Sequence, residues 1–416
     1  MEKIIYKNGY AKKNLYFVEE VYHFCVALMP ILYLINVPIL DISLGTVLLF
    51  VFIPHSIIYI YEGIKKLKGG VSVIPFLLFY AYIISRADGS MARIMLCIAV
   101  FINIWGIMYG SIKIQKICKI IEGFALINLV LILMQILCHY IFRVNIQYIP
   151  QSIIHSEFQG SYVFSGTSGM YRPSSLFLEP SHYSQYCCFA IISALFPSTG
   201  KANLKKALLI AAGCIMTTSG MGIMLSFGIF AWYIFLNQGN KGVSKVISAF
   251  KWCVIIVIIL IILLQIPFFQ DALKRVFLEL DGYNAIRGRL GQWGSAIRPM
   301  RGKTLLMGYG DKADYPYYLA GLADTIYKYG VICVALEFYC FLYLMFKKKE
   351  NYVWCCSAVF LILFCFAHLT SVYVQIFYFG IIIAEIPKYA KKSAAGSGGF
   401  VDNERSYGYR DQKNFI

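Results

Sequence analysis

Apolar runs separated by short, lysine-bearing breaks fill the chain from Val18 to Ile386. A run of roughly 17–25 apolar residues is the length that crosses a bilayer as a helix. The pattern predicts such helices at about Val18–Ile35, from the turn at Pro38 and Asp41 to Tyr61, and at Val71–Ser85, Met91–Tyr109 and Ile120–Ile141. A polar loop over about 142–181 follows, and the sixth helix then reaches Phe196. Ala207–Leu236 is one apolar stretch interrupted by Thr217-Thr-Ser-Gly-Met-Gly222. We read it as two short helices, because hydroxyls and glycine tolerate a broken backbone at membrane depth where protein or water surrounds it. Further helices are expected at Trp252–Phe269, Leu322–Phe346, Tyr352–His368 and Val372–Ile386, with a second long loop over about 270–320. The expectation is an all-α, polytopic integral membrane protein of about twelve transmembrane helices with two large extracytoplasmic loops. Residues 1–386 form the membrane domain. Residues 387–416, basic, then rich in Gly and Ser, then of mixed charge, read as a disordered cytoplasmic tail.

Composition agrees with that pattern: 59% of the residues are hydrophobic and 14% charged, with a mean hydropathy of +0.66. The net charge of +17 is read by location before any thought of nucleic acid, for which the chain carries no binding motif and which is not an expected partner. With a cytoplasmic N-terminus, alternation puts the lysine clusters at 65–68, 113–119, 201–206, 241–251, 347–349 and 388–392 on the same, inner side. Both long loops then lie outside. Counting Ala207–Leu236 as a single span would reverse everything after it. Nearly all of the 13 cysteines sit within apolar runs and no CxxC occurs, so neither a disulfide framework nor a zinc site is indicated. The basic stretch Met1–Lys13 has no small-residue cleavage site after it, which reads as a retained first helix.

The polar residues with chemical potential collect in the two loops. Tyr171–Tyr186, Tyr-Arg-Pro-Ser-Ser-Leu-Phe-Leu-Glu-Pro-Ser-His-Tyr-Ser-Gln-Tyr, leads from the first loop into the sixth helix. Pro180 suits a first helical turn, and Glu179 just ahead of it suits the positive end of the helix dipole. A cap with Arg172 as its partner explains these residues as well as catalysis does. His182 is a candidate ligand or base, and equally a structural residue near a helix start. The second loop carries Arg287, Arg289, Arg298 and Arg301, and guanidinium grips phosphate in a planar, two-pronged way. Contact with anionic headgroups is the plainer alternative. Leu305-Leu-Met-Gly-Tyr-Gly-Asp311 contains a Gly-x-Gly around Tyr309, by itself no more than a turn signal. Tyr315, Tyr317 and Tyr318 fit either an interfacial belt or stacking on sugar rings.

Three of these segments together carry a resemblance. Arg172-Pro-Ser-Ser-Leu-Phe-Leu-Glu-Pro-Ser-His resembles the arginine-to-Glu-Pro signature of bacterial polysaccharide repeat-unit polymerases, the Wzy family. Thr217-Thr-Ser-Gly resembles the Ser-Gly break of that superfamily, and Met307-Gly-Tyr-Gly resembles the Gly-x-Gly of its second outer loop. The likeness spans about half the chain, from Gly160 to Val334. Related O-antigen ligases carry a histidine shortly after the Gly-x-Gly, and this chain has none there. The resemblance implies a GT-C-like architecture in the bacterial cytoplasmic (inner) membrane, with the active site on its outer face. The implied substrate is an undecaprenyl-diphosphate-linked glycan, with a flippase and a chain-length regulator as partners alongside the lipid bilayer. It further implies Glu179 and Arg172 as catalytic residues, and Arg287, Arg289, Arg298, His182 and Tyr309 as substrate-binding ones. No cofactor or metal is expected, for the sequence shows no metal-ligand cluster. A lipid-linked glycan flippase or other transporter fits twelve helices equally well, although no repeat relates the two halves. A non-catalytic subunit of an envelope assembly is a third reading.

Overall fold

A computed structural model describes residues 9–40, 42–65, 72–155, 171–197, 201–237, 265, 285–313, 315, 316, 319, 321–348, 350–366 and 372–384. It is mostly helical. The helices are α1 Gly9–Leu32, α2 Leu44–Val51, α3 Ile53–Lys65, α4 Ile74–Ser85, α5 Met91–Met108, α6 Ile114–Leu137 and α7 Pro180–Leu195. They continue with α8 Leu204–Met216, α9 Gly220–Asn237, α10 Ala285–Ile297, α11 Lys303–Met307, α12 Gly321–Lys348, α13 Asn351–Phe366 and α14 Val372–Ile383. Two-residue strands at Asn36–Val37 and Ile42–Ser43 pair antiparallel between α1 and α2.

Among the described residues four segments are long and apolar enough to cross a membrane: Leu44–Lys65, Met91–Met108, Ile114–Phe142 and Gly321–Lys348. Ile74–Ser85, Gly220–Leu236 and Asn351–Cys365 are apolar but shorter. The helix expected at Trp252–Phe269 and the tail from residue 387 lie outside the described residues. The interruption expected within Ala207–Leu236 is present: Thr217, Thr218 and Ser219 separate α8 from α9. The span expected near Leu322–Phe346 is interrupted as well. Gly330, at φ +78° and ψ 176°, breaks α12 into two segments.

Contacts fix which helix ends share a side. Lys113 and Lys116, where α6 begins, pair with Glu19 and Glu20 of α1, the first pair at 2.8 Å. Lys206 of α8 meets Glu122 of α6 at 2.7 Å. Lys348 closes α12 by donating to the carbonyl of Ile383, where α14 ends, at 2.7 Å. Tyr109 after α5 lies against Gly63 near the end of α3 and so close to Lys65. These lysines mark one end of the bundle. At the other end, His155 N–H donates to Leu34 O after α1, and the α4–α5 turn meets residues 308–312. We call these the lysine end and the loop end.

The interior mixes aromatic stacking with a few buried polar ties. Phe341 of α12 stacks on Phe360 of α13 at 4.0 Å and on Phe379 of α14 at 4.8 Å, joining the last three helices. Asn103 of α5 accepts from Tyr22 and Ser56, each at 2.9 Å, and donates to Leu49 O at 3.0 Å. The α2–α3 interruption falls just before Pro54, whose missing N–H leaves the Phe50 carbonyl without its helical donor. Without water to turn to, such buried groups need partners from the bundle itself.

Candidate functional site

The segment from Tyr171 to Glu179 is not helical, yet Ser174, Ser175, Phe177 and Leu178 are buried. Backbone of this kind survives inside an apolar bundle only when side chains satisfy it. Two residues of α6 do so. Gln135 Oε1 accepts from Ser175 N–H at 2.9 Å. Asn128 Oδ1 accepts from Ser175 Oγ at 2.7 Å and from Leu176 N–H at 3.4 Å. Asn128 and Gln135 stand seven residues apart, two turns of one helix face. Ser175 itself is left-handed, at φ +57°. Upstream, the Tyr171 ring stacks on His139 at 4.0 Å, nearly parallel. Burial pushes the Tyr171 phenol up to about 12, so it is a neutral hydroxyl across the physiological range. Phe177 packs between the rings of Tyr183 and Tyr186, closing the segment onto α7.

Pro180 opens α7 as the sequence predicts, with Glu179 as its N-cap residue. The Glu179 side chain makes no bond to the helix N-terminus; its Oε2 accepts from Ser181 Oγ at 2.9 Å. His182 follows in the first turn, partly buried, with its N–H on Glu179 O at 3.1 Å. One turn on, Ser184 Oγ lies 3.0 Å from Thr217 Oγ1 in the α8–α9 break. Thr217 also donates to Cys214 O at 2.7 Å, and Thr218 is left-handed at φ +54°. Gly222 presses on Ser184 so closely that a Cβ there would overlap it. The first two sequence motifs therefore meet, around the start of α7.

The third motif forms a separate cluster at the loop end. Tyr309 and Gly310 donate their N–H groups to the carbonyls of Tyr327 and Lys328, each at 2.9 Å, just before the Gly330 break. Gly308 and Gly330 both have positive φ; a Cβ on Gly308 would strike the Lys328–Tyr329 backbone, and one on Gly330 the Leu306–Met307 backbone. Tyr82 of α4 donates to the freed Tyr329 carbonyl at 2.8 Å, and Arg86 Nη2 to Gly308 O at 3.1 Å. Arg93 of α5 donates to Tyr329 Oη at 2.8 Å and pairs with Asp311 at 3.3 Å, while Tyr329 Oη donates to Asp311. The sequence reading assigned no role to Arg86, Arg93, Asp311 or Tyr329. A signal existed for one of them: Arg93 is a cation inside an apolar run, where such a charge calls for a partner.

The remaining sequence candidates are spread along this second cluster. Arg287 and Arg289 fall on α10, in the stretch whose side chains lie outside the described residues. Arg298 is exposed just past the end of α10, and its carbonyl accepts from Arg301 Nη1 at 2.7 Å. Tyr309 is half exposed, its ring 4.9 Å from that of Tyr327. Through Trp293, Ala296 and Ile297, α10 packs on Leu319, Ala323, Tyr315 and Tyr327 around the start of α12. No described contact joins Arg172, Glu179 or His182 to Arg298 or Tyr309, although both clusters occupy the loop end. Among the described residues no group of three or more His, Cys, Asp or Glu is arranged to hold a metal ion.

Fold and clusters together define a mostly helical protein that has, among the described residues, four helices long and apolar enough to cross a membrane, and two non-helical elements at one end. No family model, no characterised protein and no solved structure matches this chain.

Proposed function

We propose that the chain is a membrane-embedded glycosyltransferase that polymerises a surface polysaccharide: O-antigen, capsule or exopolysaccharide. A growing glycan on undecaprenyl diphosphate is passed to a hydroxyl of the next lipid-linked repeat unit. The bond from the anomeric carbon to the diphosphate breaks, and a bond from that carbon to the acceptor oxygen forms. The acceptor proton leaves to a base. Arg172 offsets the charge of the departing diphosphate and Glu179 receives or polarises the proton. Arg287 and Arg289 of α10 grip the same diphosphate, Arg298 just past that helix adds to them, and His182 and Tyr309 are further substrate contacts. The supporting observation is the buried, non-helical Tyr171–Glu179 segment, tied to α6 and lying beside the Thr217–Gly222 break. Fixing a charged motif where the bundle is interrupted is the kind of preorganisation that transfer without a protein-bound intermediate requires. By the charge rule, the lysine end faces the cytoplasm of a bacterium and the loop end faces outward.

The test is polymerisation by purified protein from lipid-linked repeat units. Losing one charge-assisted contact costs about 1.5–3 kcal/mol, tenfold or more in rate, so Arg172→Ala should fall by at least that much. Lysine should rescue only in part, lacking the fork. A wild-type rate from Arg172→Ala would overturn the reading. One observation favours the runner-up, a flippase: Glu337 is an acid sealed inside the bundle, as transporters often have. A deletion strain separates the two. Single repeat units at the surface mean a missing polymerase, and no glycan there means a missing flippase.

A further inference from the structure

Part-way along α12 a carboxylic acid is enclosed by the bundle. Glu337 is 2% exposed, and its Oε1 has no hydrogen-bond partner among the described residues. It lies seven residues past the Gly330 break, about 10 Å along the helix axis. None of the described ion pairs includes it. The titratable groups within its electrostatic reach are Tyr80 of α4 and, on its own helix, Cys333 and Cys340. Among the described residues no Lys, Arg or His is paired with it. The Tyr80 hydroxyl is engaged by Gln375 of α14 at 2.9 Å. A buried carboxylate with an unpartnered oxygen is costly to keep charged, and a bound proton removes that charge.

Towards the loop end, titratable side chains follow one another along α12 and α5. Cys333 lies one turn from Glu337 on α12, and Cys97 of α5 is within reach of Cys333. Cys97 stands one turn beyond Arg93, which holds Tyr329 and Asp311. The Arg93 and Asp311 side chains are 19% and 20% exposed, so that end of this column is open to the surface. Acidic residues inside spanning helices characteristically serve as relays for protons or ions.

We propose that Glu337 is a proton-binding site inside the membrane-spanning bundle, loaded and unloaded from the loop end through the column that begins at Asp311, Tyr329 and Arg93. Loading joins the carboxylate and a proton from water at the loop end to give the neutral acid. Unloading returns the proton to that water, and no other bond changes. This inference does not rest on the glycosyltransferase reading.

The probe is dicyclohexylcarbodiimide, which is apolar and reacts with protonated carboxyls. The acid proton moves to a reagent nitrogen, a carboxyl oxygen bonds to the central carbon, and the adduct rearranges to a stable N-acylurea containing the whole reagent. Full-length protein in its native membrane is treated between about pH 5 and about pH 10, a range that includes the raised values seen for buried glutamates. The peptide holding residue 337 is then weighed. Expected is an adduct on Glu337 at low pH, absent from Glu337→Gln and lost as pH rises. After a rapid pH jump, Tyr329→Phe should lose reactivity more slowly than wild type. No adduct at any pH would overturn the proposal. So would an adduct indifferent to pH, which marks a permanently neutral structural acid. An unchanged response in Tyr329→Phe would remove the column as the route. Because wild-type labelling carries the main arm, poor folding of a variant leaves the test intact.

Discussion

Asn128→Leu should release the Tyr171–Glu179 segment without dismantling the bundle. The substitution keeps side-chain bulk on α6 but removes the oxygen that accepts from Ser175 Oγ at 2.7 Å and Leu176 N–H at 3.4 Å. Ser175 is 0% exposed, so its hydroxyl gains no water in exchange. A buried donor left unpaired costs about 1–3 kcal/mol, and the longer Leu176 contact belongs at the low end. The sum is about 2–4 kcal/mol. Gln135 still holds Ser175 N–H at 2.9 Å, which keeps the loss local. Hydrogen exchange read by mass spectrometry on detergent-solubilised protein reports it directly. Amides of residues 171–179 should exchange about 30- to 1000-fold faster, since each 1.4 kcal/mol is a factor of ten. Those of α5 should stay protected. The double variant Asn128→Leu/Ser175→Ala should recover part of the loss, because it removes the unpaired hydroxyl as well as its acceptor. Unchanged protection in the single variant, or no recovery in the double, would refute the view that Asn128 holds the segment.

Three further outcomes follow from other features. Gly330→Ala puts a Cβ at φ +78° against the Leu306 carbonyl, and should lower the melting temperature by the equivalent of roughly 1–3 kcal/mol or more; an unchanged melt would mean that the break is relaxed. Glu179→Gln keeps an oxygen for Ser181 Oγ but no proton acceptor, so turnover should collapse with melting unchanged; near-normal turnover with a lowered melt would make Glu179 structural. A membrane-impermeant thiol reagent should label cysteines placed at Ser161 or Asp281 in intact cells, after permeabilisation of any outer barrier, and not one at Ser393; the reverse pattern would invert the topology.

Local chemistry made part of this structure readable from the sequence. Pro180 announces the start of α7, and Thr217-Thr-Ser-Gly announces the break before α9, because both signals act within a turn of themselves. The lysines at 65, 113, 116, 206 and 348 gather at one end, in keeping with their regular recurrence after apolar runs. Gly330 gave no such signal. An isolated glycine in an apolar helix is common, and the backbone that crowds Gly330, at Leu306 and Met307, is distant in sequence. The Ser181 contact of Glu179 is not singled out in the sequence: Arg172 is the obvious opposite charge, while a hydroxyl two residues on draws no attention, although it needs no chain reversal to reach the carboxylate. Arg93 and Asp311 look unrelated along the chain and meet only through the fold.

That last pairing sets an order on biogenesis. Arg93 and Tyr329 are 236 residues apart, so at 5–20 residues per second the ribosome needs roughly 10–50 s to deliver the phenol after the guanidinium has emerged. During that interval α5 is already apolar enough to enter the bilayer, yet its cation has none of its final partners. Arg93 sits in the first turn of α5, close enough to the interface for its long side chain to reach the headgroups while it waits. Docking of residues 308–312 then draws it inward. The N-terminal half is thus inserted first and locked late, and a nascent chain halted before Asp311 carries an arginine that only lipid or an insertase can shelter.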